Sequence, residues 1–115
     1  MASQRSAQPQ THAFAGKTLR WTFEDGPTAG TTFEHSFGAD GGVAFRVAGK
    51  DGPWTKAKEF GVAQVAEDVW VVSYLAPESG YTLTVALNMR EGTMAGFASD
   101  GKQWFQQTGA FDMVA

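Results

Sequence analysis

Alternation of apolar and polar residues at every second position is the feature that most constrains this fold. In the segment Lys17–Glu24, the apolar residues Leu19, Trp21 and Phe23 share one parity and the residues between them are polar. The same period recurs in three further segments, 33–37, 43–47 and 81–87. A two-residue period is typical of a β-strand with one buried and one solvated face. Repeated about eight times between short turns, it predicts an antiparallel sheet that closes on itself or packs on another sheet.

The composition agrees with a single all-β domain. A chain of 115 residues has room for one core, and 43% hydrophobic residues exclude disorder of its main body. Fourteen glycines supply turns, while nine phenylalanines and four tryptophans suit a pleated, half-buried surface. Since no stretch of ten residues has a 3.6-residue period, we predict an antiparallel up-and-down β-barrel. It occupies residues 14–115, after a flexible segment 1–13 that is rich in Gln, Ser and Ala.

Several function classes are excluded by what the sequence lacks. The net charge of −3 comes with no basic patch, so we expect no nucleic-acid partner. No apolar run approaches the roughly 20 residues of a membrane span, and residues 1–13 contain no apolar run of a secretory signal. We therefore expect a cytoplasmic protein without a membrane partner. With no cysteine and only two histidines, we expect neither a metal site nor a cofactor.

The segment Val69–Leu75 is apolar on both parities. Val69, Val71 and Leu75 lie on one face, and Trp70, Val72 and Tyr74 lie on the other. Such a strand is covered on both sides. The sequence leaves open which parity faces the interior. Because one barrel covers only one face, the outer cover would be the N-terminal segment or a second subunit, and a homodimer is the expectation.

The inward parity carries an unusual number of aromatic residues. From the first three strands these are Trp21, Phe23, Phe33, Phe37 and Phe45, and Trp70 and Tyr74 join them if their parity faces inward. One interpretation is a filled core. The other is a small aromatic-lined slot, since a barrel of eight strands has space for side chains or one small ligand.

His35 is the sharpest candidate for chemistry. It shares the parity of Phe33 and Phe37, which places an imidazole on the apolar inner face. There it could donate or accept a proton, or orient a ligand. The alternative is a core histidine that is bonded to a neighbouring hydroxyl or backbone group. Tyr74 is the second candidate, because a buried phenol normally finds a hydrogen-bond partner.

The middle and end of the chain resemble a known family. Val69-Trp70-Val71-Val72-Ser73-Tyr74, the segment 80–88 and Gly92-Thr93-Met94-Ala95-Gly96, together with the opening segment 16–23, are similar to the MoaF-like domain group. The resemblance implies a lipocalin-like barrel, akin to the calycins and the phenolic acid decarboxylases, with a small-molecule cavity. Two positions depart from the pattern: Tyr74 stands where Trp is usual, and Asn88 where Asp is usual.

Three hypotheses remain open from the sequence. The first is a lipocalin-like barrel that binds a small apolar or aromatic molecule, with His35 as its polar contact. The second is a small cofactor-free enzyme of the same fold, a decarboxylase, isomerase or cyclase, that uses His35 and Tyr74 as acid and base. The third is a structural protein with a filled core and a dimer interface. A cavity of roughly 300 Å³ or more with His35 inside would favour the first two.

Overall fold

The chain folds into β-strands joined by turns. The computed structural model describes residues 14–39, 42–49, 52–57 and 59–114. In this part of the chain the strands are β1 (Thr18–Phe23), β2 (Thr32–Phe37), β3 (Val43–Val47), β4 (Thr55–Lys56), β5 (Glu59–Ala66), β6 (Val69–Leu75), β7 (Thr82–Asn88), β8 (Thr93–Ser99) and β9 (Trp104–Met113). A helix able to cross a membrane is not found among these residues.

The nine strands form one curled antiparallel sheet in the order β4-β3-β2-β1-β9-β8-β7-β6-β5. Neighbours in the sheet are neighbours in the chain, except that β1 pairs with β9 over Leu19↔Met113 to Phe23↔Gly109. In the described residues no strand pairing joins β4 to β5, so the barrel is open there. The expected all-β antiparallel barrel is confirmed. The described residues form nine strands where about eight were expected. The additional strand is the two-residue β4, which forms a short ladder on β3.

The structure decides which face of β6 is inside. Val72 and Tyr74 are 1% and 7% exposed, so the parity of Trp70, Val72 and Tyr74 faces the interior. The outward residues Val69, Val71 and Leu75 are half-buried. The segment 1–13, which the sequence analysis considered as an outer cover, lies outside the described residues.

One half of the barrel interior is filled by close-packed side chains. Phe14, which precedes β1, is fully buried and lies 4.8 Å from Phe37 and 5.7 Å from Trp70 between ring centroids. The same half holds side chains from five strands: Leu19, Phe37, Leu87, Met94 and Phe111. The turn at 14–17 is held against β2 because the Gly16 amide donates to the Phe37 carbonyl at 2.8 Å. This end of the barrel is therefore closed.

Two glycines on inward positions allow the sheet to curl. A Cβ atom added to Gly96 in β8 would overlap the Thr84 carbonyl oxygen and lie 2.6 Å from Val85 Cα. A Cβ atom added to Gly109 in β9 would overlap the Thr22 carbonyl oxygen. Neighbouring strands thus approach at these points to distances that only glycine permits.

The outer surface differs between the two halves of the sheet. On β1–β3, Glu34 accepts hydrogen bonds from Arg20 at 3.0 Å and Arg46 at 3.1 Å. These bonds, the one from Arg20 first, lower the pKa of the Glu34 carboxyl. On β6–β8 every outward residue is uncharged: Val69, Val71, Ser73, Leu75, Thr82, Thr84, Ala86, Asn88, Thr93, Ala95, Phe97 and Ser99. We call this second surface the uncharged face.

Gly96→Ala is expected to destabilise the protein by about 3 kcal/mol, because the new methyl group collides with the backbone of β7. Gly61→Ala is the matched control, since Gly61 is an exposed strand glycine with no atom near its added Cβ. We expect its free energy of unfolding to change by less than about 0.5 kcal/mol. Chemical denaturation measures both, and an equal effect of the two substitutions would contradict this account of the curl.

The homodimer expected from β6 stays a prediction, and the uncharged face is the surface that it would use. We expect Ala86→Arg, at the centre of this face, to convert a dimer to a monomer, because an arginine without a partner would be desolvated there. Ala44→Arg on the outer side of β3 is the control and leaves association unchanged. Analytical ultracentrifugation reads the outcome, and a wild-type protein that is monomeric at high concentration would contradict the prediction.

Candidate ligand-binding cavity

The other half of the barrel interior contains a partly open cavity of about 450 Å³. Its walls are mainly apolar and aromatic, with a few neutral polar groups. The lining residues come from β1, β2, β3, β6, β7, β8 and β9 and the adjoining loops: Trp21, Phe23, Pro27, Thr28, Phe33, His35, Phe45, Tyr74, Ala76, Tyr81, Leu83, Ala98, Gln103, Phe105 and Gln107. None of the side chains named above for the filled half lines this cavity.

The strand register explains why the cavity lies at one end. Along β2, Phe33 and His35 line the cavity and Phe37 reaches the filled half. The strand β7 is divided in the same way, since Leu83 faces the cavity and Leu87 faces the filled core. Ala98, opposite Leu83 in the register, adds only a methyl group to the wall. A small residue at this position leaves space that a larger side chain would occupy.

His35 and Tyr74 form a hydrogen-bonded pair in the cavity wall. His35 Nε2 lies 2.7 Å from the Tyr74 hydroxyl oxygen, and the two residues are 39 positions apart in the sequence. They are 1% and 7% exposed. The imidazole also stacks near Trp21, with ring centroids 3.6 Å apart, and near Phe45 at 5.8 Å. Aromatic rings on two sides thus hold the imidazole in one orientation.

Burial keeps both members of the pair uncharged. Desolvation lowers the pKa of His35 well below its ordinary value, because the charged imidazolium would lose its water. Desolvation likewise raises the pKa of the Tyr74 phenol. At neutral pH the pair is therefore a neutral imidazole bonded to a neutral phenol.

Two nitrogens in this wall lack a hydrogen-bond partner among the described residues. They are Trp21 Nε1 and His35 Nδ1, and both are buried. An unpartnered buried polar group costs about 1–3 kcal/mol. Such groups are uncommon in folded proteins and need an explanation. Both residues line the cavity.

Hydrogen bonds across the sheet position the rim of the cavity. Gln107, which is 3% exposed, donates from Nε2 to Thr28 Oγ1 at 2.7 Å. The Asp25 carboxylate accepts from the Thr108 amide at 2.7 Å and from its hydroxyl at 2.9 Å. The loop between β1 and β2 is thereby fastened to β9, which places Pro27 and Thr28 over the cavity.

Six of the eight residues proposed from the sequence as ligand contacts line this cavity: Trp21, Phe23, Phe33, His35, Phe45 and Tyr74. The other two, Phe37 and Trp70, do not line it. Phe37 and Trp70 pack around Phe14 in the filled half, with the ring centroids of Phe14 and Phe37 4.8 Å apart. They occupy the inward parity but the opposite end of their strands. Parity alone gives no position along the barrel axis.

Several lining residues were missed from the sequence. Leu83, Ala98, Phe105 and Gln107 lie on inward positions of β7–β9, where the parity of each strand would have found them. Thr28 and Gln103 belong to loops, and their positions follow from tertiary contacts that no sequence period reports. Among the described residues no group of three or more His, Cys, Asp or Glu side chains is arranged to hold a metal ion.

Comparison with known proteins agrees with this architecture. The sequence matches the MoaF N-terminal domain over residues 4–102. The chain belongs to this family. The resemblance of the segments between 16 and 96 to the MoaF-like group is thereby confirmed. No curated protein sequence matches the chain.

A solved structure from Burkholderia vietnamiensis, described as that of a candidate beta-lactamase, is similar to this MoaF-domain protein. The TM-score is 0.74 and the identity is 18%, over 91% of this chain and 99% of the other. At this identity the likeness shows a common fold alone.

The buried His35 makes stability depend on pH. The unfolded chain binds a proton at His35 below about pH 6.5, whereas the folded chain does not, because burial lowers the pKa. The free energy of unfolding should therefore fall as the pH falls, by about 1 kcal/mol between pH 6.5 and 5.5. Denaturation curves of the wild type and His35→Gln measure this effect. The variant should lose the dependence in this interval, and a flat wild-type profile would contradict a neutral His35.

Proposed function

We propose that this MoaF-domain protein binds a small apolar or aromatic molecule inside the barrel, with His35 as the polar contact. The observation that carries the proposal is the combination of a 450 Å³ cavity with a buried nitrogen in its wall, His35 Nδ1, that has no hydrogen-bond partner among the described residues. The mainly aromatic lining supports this ligand class, because apolar walls favour ligands whose apolar surface they remove from water.

The size of the cavity favours ligand binding over a purely structural role. Ligand sites in proteins typically have volumes of about 300–1,000 Å³. A core that served only stability would fill this space, because unfilled volume in a protein interior is destabilising. The filled half of the same barrel demonstrates that these strands can pack without a cavity.

The pKa directions favour binding over acid–base catalysis. A general acid or base works best with a pKa near the working pH. Burial moves the two candidates the other way, since it lowers the pKa of His35 and raises that of Tyr74. The pair is thus a weak base joined to a weak acid, which suits hydrogen bonding to a ligand better than proton transfer.

One observation favours the enzyme hypothesis: His35 Nε2 and the Tyr74 hydroxyl oxygen lie 2.7 Å apart. A ligand that changed the local charge would shift both pKa values. Beta-lactam hydrolysis, which the description of the Burkholderia vietnamiensis structure suggests for that protein, is not carried over to this chain. The shared fold at 18% identity gives no catalytic residue.

We expect N-phenyl-1-naphthylamine, a neutral dye that fluoresces in apolar surroundings, to bind the wild type saturably with one dye per chain. Ala98→Phe should abolish this binding by filling the cavity, because Ala98 lines it. Ala95→Phe is the matched control, since Ala95 lies on the exposed side of the same strand. Fluorescence titration measures all three proteins. Equal binding by the two variants would contradict the cavity as the site.

Native mass spectrometry of the protein from its own host identifies the natural ligand. A co-purified small molecule that is weakened in His35→Ala would support the proposal and name the chemistry. An unliganded wild type that also fails to bind the dye would contradict it and favour the structural hypothesis. The expected cytoplasmic location belongs to the same proposal and is tested by fractionation of the host cells.

A further inference from the structure

We propose that the ligand is an uncharged aromatic molecule with a hydrogen-bond acceptor, such as a ketone, ester or lactone carbonyl, rather than a carboxylate or a cation. The inference rests on the proposed function and specifies its ligand class. Three observations on the cavity wall carry it: the lack of charge, the number of donor hydrogens and the arrangement of rings.

Among the described residues, no charged side chain lines the wall. None of the fifteen lining residues is Lys, Arg, Asp or Glu. The adjoining recess, of about 330 Å³, includes Arg46, but this guanidinium is bonded to Glu34 at 3.1 Å and lies 4.2 Å from the Trp54 ring. An ionised ligand would thus lose its water without gaining a counter-ion, which is strongly unfavourable.

The His35–Tyr74 pair and Trp21 hold donor hydrogens that have no acceptor among the described residues. A neutral imidazole and a phenol together hold two donor hydrogens, one N–H and one O–H. The bond between His35 and Tyr74 uses one of them. Whichever tautomer His35 adopts, one hydrogen remains, either on His35 Nδ1 or on the Tyr74 oxygen. The N–H of Trp21 is a second donor without a partner among the described residues.

A ligand acceptor would satisfy one of these donors. Trp21 and His35 both line the cavity, so a ligand in it would lie against the wall that holds these donors. A ligand with only donors or only carbon atoms would leave the excess unpaired. Leaving a buried donor unpaired costs about 1–3 kcal/mol, which makes a carbonyl oxygen the favoured ligand group.

The ring arrangement favours a planar body for the ligand. Phe45 and Tyr74 stack with an interplanar angle of 23° and centroids 5.1 Å apart. On another part of the wall, Tyr81 and Phe105 have centroids 5.8 Å apart. Flat rings on the walls of one cavity offer contacts that an aromatic ligand meets by stacking or edge-to-face packing.

Three compounds of similar shape test the inference by isothermal titration calorimetry at pH 7.5: naphthalene, 2-acetylnaphthalene and 2-naphthoate. The ketone adds an acceptor to naphthalene, and the carboxylate replaces the methyl group of the ketone by a charged oxygen. We expect the wild type to bind the ketone about tenfold tighter than naphthalene, as one added hydrogen bond allows. We expect 2-naphthoate to bind at least about tenfold more weakly than the ketone.

The outcomes separate the two proposals. Saturable binding of naphthalene and the ketone with equal affinity, or tighter binding of 2-naphthoate, would overturn this inference and leave the proposed function standing. If none of the three compounds nor the neutral dye binds, the proposed function itself is wrong. Physiological salt in the buffer screens the attraction or repulsion of 2-naphthoate by surface charges.

A pair of lysine variants tests whether missing charge is the cause. Leu83→Lys places an ammonium group in the wall and should invert the preference, so that 2-naphthoate binds more tightly than the ketone. Thr82→Lys is the matched control, because Thr82 is the exposed neighbour of Leu83 on the same strand. It should keep the wild-type order. An unchanged order in a folded Leu83→Lys protein would overturn the electrostatic argument.

Discussion

Pairing of β1 with β9 is the interaction on which the rest of this structure depends. Without it the strands would form two separate meanders, each with one apolar face exposed to water. The ladder from Leu19↔Met113 to Phe23↔Gly109 joins them into one curled sheet. Gly109, in this ladder, lets β9 approach the backbone of β1 closely enough for the sheet to curve. Every inward side chain then faces another across a common interior.

The interior is asymmetric along its axis, and the polar pair lies at the boundary. Phe14 and Phe37 close one end by direct packing. Towards the other end the wall residues no longer meet across the barrel, and a cavity forms. His35 lies between Phe33 on the cavity side and Phe37 on the filled side of the same strand. Aromatic neighbours and Tyr74 replace water around its imidazole, which is why the ring stays neutral.

A neutral polar group in an apolar wall can distinguish a neutral hydrogen-bonding ligand from an ion. It offers directional hydrogen bonding without the long-range attraction that a charge would exert on any ion. The nearby charged side chains form ion pairs on the outer face of β1–β3, where Glu34 pairs with Arg20 and Arg46. Sheet geometry alone separates these two environments, because successive residues of a strand point to opposite sides.

Much of the fold and part of the site could be predicted from the residues themselves. The two-residue period identified the strands and placed His35 and Trp21 inside, since an apolar parity has only one stable side to occupy. The period did not reveal that Phe37 and Trp70 lie in the filled half and not beside the cavity, because parity says nothing about depth along the barrel. The bond between His35 and Tyr74 and the position of Gln107 against Thr28 were equally hidden.

The sequence by itself determined the class of fold and the mainly aromatic composition of the inward parity of the first three strands. These properties are local, because each depends on the order of residues within one strand. Only the tertiary structure decided which parity of β6 faces inward, where the interior is filled and where it is hollow, and which partner His35 has. These properties depend on strand register and sheet curvature, which arise when residues far apart in the chain meet.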